Sequence, residues 1–534
     1  MKTKMNFPAL AYGLAIVLST GIATAQVSSH LTVEGTMKPV DPTVRPTQAP
    51  LSPEEQQRLA DEHREEMDEI MNKKPPVAPG PRRVKRPVVP ETQIETPASF
   101  LATLPAPDGF YIGSNQTYSV SGKAGKVAEP SVANSGKNWF ATENWSAGYS
   151  SDAGVTWTKV PAVDSGKNPP VNAPNFCCDQ DVVHDHGRNV TIWSELFLSA
   201  DKANGVVRIE VRSADNATNL CYYDIDGGPG VKHDYPHLGL GNDFLYLTAN
   251  VLTKGQGWTG AKVWRFKLDQ LASCQTVGYR WFNWKGSVGQ VIWTPARGTT
   301  DTMYLVTIEN SSQNRFFWWP ENSKTLSSKL IDVPAVTFGQ STCIGGASGN
   351  NYIEKGATSA IGLTMRSAVG WDNGEQYVAT YYGAMPTASR PQAYEAGMLV
   401  RTSDQTLLST PDLWNANMCM AYADVTSNSR GDLGMTIAAG GSLTGGSVVQ
   451  GYVGISDSYS RGANRGKFTT IYRVASGDDN PSVYGDYLTA RVQEPVDTAF
   501  IATSYAWLAG ATNTHIVEFM RGRYAQAYKD RGQQ

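Results

Sequence analysis

The octapeptide Ser150-Ser151-Asp152-Ala153-Gly154-Val155-Thr156-Trp157 constrains the fold more than any other stretch of the chain. An Asp at its third position can accept hydrogen bonds from backbone N–H groups across a tight turn. Gly154, two residues on, permits the positive φ of a reversing chain. Thr156 and Trp157 suit the returning strand, the indole packing into a sheet-on-sheet interface. The stretch predicts a turn between strands of stacked sheets and leaves activity open.

At 534 residues the chain is too long for one small domain. Lys2 and Lys4, an apolar run from about Ala9 to Ile22 and the small residues Ala23-Thr24-Ala25 read as a secretory signal peptide over residues 1–25. No later segment is apolar enough to span a bilayer as a helix, so a secreted or periplasmic protein is expected. The 46 basic and 49 acidic residues leave a net charge of -3, which gives no reason to expect a nucleic-acid partner. Six cysteines, an even number in an exported chain, favour disulfides. Cys177 and Cys178 are adjacent and are expected to take separate partners, because a bridge between them closes a small strained ring.

Residues 26–100 are rich in Pro, Glu, Gln, Lys and Arg and read as a linker. Inside it Ser52-Pro53-Glu54-Glu55 is a capping box that opens a short helix ending before Pro75-Pro76. The basic run Arg82-Arg83-Val84-Lys85-Arg86 reads as solvated linker, with processing as the alternative. From residue 101 to 526 short β-rich runs alternate with Gly, Asn, Asp and Ser turns, and residues 527–534 form a polar tail. Candidate inner strands start near Pro130, Gln180, Tyr235, Gln290, Ser359, Ala421 and Tyr487, a spacing that suits four strands per repeat. Arg212-Ser213-Ala214-Asp215 and Arg401-Thr402-Ser403-Asp404 look like decayed copies of the octapeptide's entrance.

The octapeptide fits S-x-D-x-G-x-T-W at every fixed position, and the chain resembles the sialidase-like Asp-box (BNR-repeat) β-propellers. That resemblance implies an all-β propeller of seven blades, with six as the alternative, preceded by the signal peptide and the Pro-rich linker. Phe110 to Val120 would then supply the outer strand of the last blade and close the ring. Sialidases carry an Arg-Ile-Pro motif before their first box. Here no arginine lies between Phe100 and His186, so their catalytic roles are not carried over to any residue.

Propeller geometry sorts the ionisable residues, because the starts of inner strands converge on one funnel. His184 and His186 follow the second inner strand and fall at the opposite face, as a plain hairpin. His233-Asp234-Tyr235-Pro236-His237 opens the third inner strand, and alternation places Tyr235 and His237 on one side. Tyr484-Gly485-Asp486-Tyr487 opens the seventh. The catalytic candidates are His237, Tyr235, Asp234, Tyr487 and Asp486. The substrate-binding candidates are Asp179, Gln180, His233, Arg491 and Glu129. His and Tyr suit proton transfer near neutral pH, and paired carboxylates suit glycoside hydrolysis.

The chain is therefore read as a monomeric, secreted carbohydrate-active enzyme, a glycoside hydrolase or polysaccharide lyase acting on a polysaccharide or glycoconjugate. The alternatives are a non-catalytic glycan- or protein-binding propeller and an assembly factor. No cofactor or metal site is assigned. A structural Ca²⁺ near Asp478-Asp479-Asn480 is the one metal reading considered, and a solvated turn is preferred there.

Overall fold

Asp152 closes the turn at 150–157 with two bonds: the Thr156 N–H donates to its Oδ1 at 2.8 Å and the Thr156 hydroxyl to its Oδ2 at 2.6 Å. Gly154 has φ +81°, and its N–H donates to Ser150 Oγ at 2.8 Å. A Cβ at residue 154 would stand 2.6 Å from the Trp139 ring. Trp157 packs edge-on against Tyr118 at 4.9 Å. Gly154→Ala meets both the positive φ and the indole, so it should lower stability by about 1–3 kcal/mol in urea titration.

The computed structural model describes residues 27–41, 50–72, 80, 84–96, 106–120, 127–161, 168–285, 293–338, 343–345, 350–353, 365–372, 374–457, 465–478, 484–485 and 487–531. The signal-peptide reading of residues 1–25 and the candidates Asp479, Asn480 and Asp486 lie outside the described residues.

Seven antiparallel sheets form a seven-bladed β-propeller. Blade 1 runs from Ser131–Ser135 to Thr158–Val160, and blade 2 from Asn175–Asp185 to Asn219–Asp226. Blade 3 runs from Val231–Leu240 to Val277–Trp284. In blade 4 the regular strands span Thr302–Asn310 to Thr325–Asp332. Residues 293–298 lie along its channel side, where the Ala296 N–H donates to Tyr304 O. Blade 5 runs from Arg366–Asp372 to Leu407–Ser409, and blade 6 from Cys419–Ser427 to Thr470–Ala475. Blade 7 holds Ala490–Val492, Phe500–Leu508 and Ala511–Arg521. Its outer strand is Phe110–Thr117, paired antiparallel with Ala511–Arg521, and this closes the ring as expected. Closure removes an exposed edge at the seam. Trp139, Trp193, Trp293 and Trp319 are fully buried, so much of the aromatic content fills sheet interfaces.

The Pro-rich segment lies along this ring over its described residues. Ser28–Leu31 adds to the outer edge of blade 4, Val33–Met37 to blade 3, and Gln93–Glu95, in parallel, to blade 6. Strand addition uses edge backbone groups rather than an apolar face, which is why composition reads this stretch as a linker. Helix α1 (Pro53–Asn72) starts at the capping box: the Ser52 N–H donates to Glu55 Oε2 at 3.0 Å, and the Glu55 N–H to Ser52 Oγ at 3.3 Å. Leu59 and Ala60 of α1 pack with Cys177 and Cys178. In the basic run Arg86 is not a solvated charge. It pairs with Asp412 at 2.7 Å and donates to Ala335 O at 2.7 Å. The C-terminus, read as a tail from 527, is helical over Gly522–Arg531, because Tyr524 and Tyr528 pack one turn apart beside Tyr111.

All six cysteines are bridged. Cys221 joins Cys274 and Cys343 joins Cys419. Cys177 joins its neighbour Cys178, against the expectation of separate partners, since the other four are taken up in pairs with each other. Among the described residues no helix is long and apolar enough to cross a membrane.

Candidate active site

Several inner strands enter the channel through a left-handed residue: Glu129 (φ +47°), Tyr235 (φ +56°), Tyr422 (φ +61°) and Gly485 (φ +81°). Strand pairing slips at two of these points, between Asp234 and His237 and between Ala421 and Asp424. A bulge of this kind re-aims the side chains that follow it. A left-handed bulky residue costs about 1–2 kcal/mol, and such strain gathers at functional sites.

Beyond the bends, six inner strands each send one ionisable side chain into the channel. They are Asp181, His237, Arg297, Arg366, Asp424 and Arg491, from blades 2 to 7 in order. Arg491 lies 2.5 Å from Asp181 and 3.7 Å from Asp424. Arg297 lies 3.5 Å from Asp424 and 4.0 Å from Asp181. Asp181 also stands 3.9 Å from His237 and accepts from Ser131 Oγ and the Leu238 N–H, both at 2.8 Å. Burial, with Arg297 next, pushes the Arg491 guanidinium down to about 10. It still carries its charge at neutral pH.

At the start of the inner strands the ring meets a tight aromatic set. Arg366 donates to Tyr235 Oη at 2.6 Å and faces both His237 ring nitrogens at 3.0 Å. The Tyr235 and His237 rings are 4.3 Å apart, and Tyr487 stacks on His237 at 4.6 Å. The Tyr487 hydroxyl donates to Pro236 O at 3.0 Å. Burial, then Arg366, Arg297 and Arg491, hold the His237 pKa well below its usual value, so the ring is neutral at pH 7. Tyr235 is 5% exposed, whereas His237 and Tyr487 are fully buried.

Glu395 of blade 5 accepts from the Ala423 N–H at 3.4 Å, beside the second bulge. Burial pushes its carboxyl up to about 8. The folded state then keeps a proton that the unfolded chain releases above about 4.5. The stability from this group is present at pH 4 and is lost as pH rises through about 8. Glu395→Gln should leave stability near the parent's at pH 5 and raise it by roughly 1–3 kcal/mol at pH 9, read as urea midpoints at both pH values.

The other sequence candidates separate from this set. Asp179, half-buried, accepts the Tyr235 N–H at 3.1 Å and stays at the mouth. Asp234 turns away and pairs with His63 of α1 at 3.2 Å, because the bulge at Tyr235 breaks the alternation there. His233 lies inside its blade, edge-on to Trp264 at 5.2 Å, and burial followed by Lys262 takes it down to about 3. Gln180 ties blades 1 and 2, donating to Glu143 O and accepting from Trp193 Nε1 at 2.9 Å. Glu129 is buried against Gly485. Arg491 sits deeper in the channel than Tyr487.

Sequence reading missed Asp424, Glu395, Arg297 and Arg366. One signal was there: a polar residue a few positions into each inner strand. Among the described residues no group of three or more His, Cys, Asp and Glu is placed to hold a metal ion.

No protein-family model matches the chain. No curated protein matches it. Among solved structures it is similar to an α-L-arabinanase of Penicillium chrysogenum complexed with arabinobiose, at 12% identity over 78% of this chain and 99% of that one, with TM-score 0.36. It is similar to Trypanosoma rangeli sialidase at 9% identity over 78% and 61%, with TM-score 0.36. It is also similar to the Dos1 propeller at 8% identity over 77% and 94%, with TM-score 0.37. Likeness at this level carries no argument, and the seven-bladed assignment rests on the strand pairing itself.

Proposed function

We propose that this chain is a carbohydrate-active enzyme on a sialidase-like propeller, secreted or periplasmic and monomeric, that works at the mouth of its channel with Tyr235 as the reacting group. One observation carries the reading. A single guanidinium, Arg366, holds both the Tyr235 oxygen and the His237 ring, and all three side chains are buried. A guanidinium donating to a phenolic oxygen stabilises negative charge there, which is what a phenol needs to act as a base. The three disulfides support an oxidising compartment.

The carboxyl groups favour elimination over hydrolysis. Hydrolases of the usual kind work with two carboxyl groups, roughly 5–5.5 Å apart for retention and about 6.5–9.5 Å for inversion. Asp181 and Asp424 are committed to Arg297 and Arg491, Glu395 is largely protonated at pH 7, and Asp179 at the mouth accepts the Tyr235 N–H. In the elimination, Tyr235 as phenolate removes the proton on the carbon next to the substrate's carboxylate. That electron pair forms a carbon–carbon double bond as the neighbouring glycosidic C–O bond breaks. The departing oxygen takes the proton back from Tyr235.

Incubation with acidic and neutral polysaccharides tests this. Ultraviolet absorbance from a conjugated double bond marks elimination. New reducing ends without that absorbance mark hydrolysis. A second reading, glycan binding without catalysis, draws on the burial of His237, Tyr487 and Arg366. Retained binding with neither product would establish it.

A further inference from the structure

The opposite end of the channel holds a cavity of about 170 Å³, lined by His184, Arg297, Thr299, Arg491 and Glu494 among others. His184 and Arg491 are each 8% exposed. Arg491 Nε is buried there with no hydrogen-bond partner in normal geometry, and the His184 ring nitrogens have none beyond a weak contact with the Val190 backbone. An unmet buried donor costs stability, and an occupant that accepts from it removes that cost.

We propose that this cavity binds a neutral, hydroxyl-bearing molecule the size of one sugar ring. Three features set the ligand's chemistry. The charges of Arg297 and Arg491 are already matched by Asp181 and Asp424, and the half-exposed Glu494 adds a negative charge, so an anion gains little. Neutral His184 offers one donor and one acceptor, and a hydroxyl group answers both. Ala133, Val183 and Leu240 give the cavity apolar walls against which the C–H face of a sugar can lie. The volume is below the roughly 300–1,000 Å³ of clefts that hold drug-sized ligands, so one ring fits and an oligomer does not.

The site is separate from the mouth. It is lined by Val492, Glu494 and Thr299 at the far ends of the inner strands, and it stands whether or not Tyr235 catalyses anything. Its ligand is tested by calorimetric titration of the whole protein with glucose, galactose, xylose, arabinose and glycerol, with acetate and sulfate as anion controls. At least one of the neutral compounds should bind with a dissociation constant on the order of 1 mM, and the anions should not. Val492→Trp fills the rim and should abolish that binding. His184→Gln changes the donor pattern more gently and should weaken it about tenfold, which keeps the test open if the Trp variant misfolds. Tyr235→Phe should leave it unchanged. Absence of binding, preference for the anions, or loss of binding in Tyr235→Phe alone would overturn the assignment.

Discussion

Replacing Asp181 with alanine should lower stability by about 3–5 kcal/mol, the usual cost of stranding buried charge partners. Asp181 is fully buried, and its carboxylate is the common partner of Arg491, Arg297 and His237. It also accepts from the N–H groups of Leu238 and Val182, which lie on the inner strands of blades 3 and 2. Alanine leaves two guanidiniums sharing Asp424 alone and strands the Leu238 N–H, while the Val182 N–H keeps Ser131 Oγ at 3.2 Å. Asp181→Asn keeps most hydrogen bonds and loses the charge, so its loss should be smaller, about 1–3 kcal/mol. Urea titration of both variants at pH 7 checks this. A loss under about 1 kcal/mol for the alanine variant would mean that the ring of charges does not hold the inner strands together.

Tyr235→Phe should cut turnover by about 10²–10⁴ while leaving the fold in place. Phenylalanine keeps the ring contacts with His237 and Tyr487 and removes only the oxygen that Arg366 holds. The expected stability loss is about 0.5–1.5 kcal/mol, the worth of one hydrogen bond. Arg366→Lys provides the companion test. A lysine cannot reach the phenol and the imidazole in the same fork geometry, so it should lose most activity while keeping the charge. A Tyr235→Phe variant with full turnover would move the reacting group elsewhere.

Much of the frame was legible in the sequence. The turn at 150–157 and the seven repeats follow from turn chemistry and spacing, which depend on local residues, and the closing strand at 110–117 follows from the ring that the resemblance implies. Tyr235, His237 and Tyr487 were legible because the starts of the inner strands converge on one channel, although the bulge at Tyr235 interrupts simple alternation. Asp234 was misplaced by the bulge, a backbone feature that residue types do not announce. Arg366 was missed because the fifth inner strand was expected near Ser359, seven residues before its observed start. Arg297 was missed because the fourth inner strand was expected to start near Gln290, and Arg297 lies seven residues on, past Pro295, in a segment without regular pairing. The docking of residues 28–37 and 93–95 was not legible, since edge pairing spends backbone groups and leaves side chains polar. The Cys177–Cys178 bridge depends on which other cysteines meet in space, and only the fold decides that.

The central claim is that the Arg366-held Tyr235 performs elimination on a uronate-containing polysaccharide. The most direct measurement is the rate of ultraviolet absorbance rise on acidic polysaccharides, for the parent chain and for Tyr235→Phe at matched concentration. The account predicts a steady rise for the parent and a rate at least about a hundredfold lower for the variant. Reducing ends released by the parent without any rise, or equal rates for the two proteins, would contradict it.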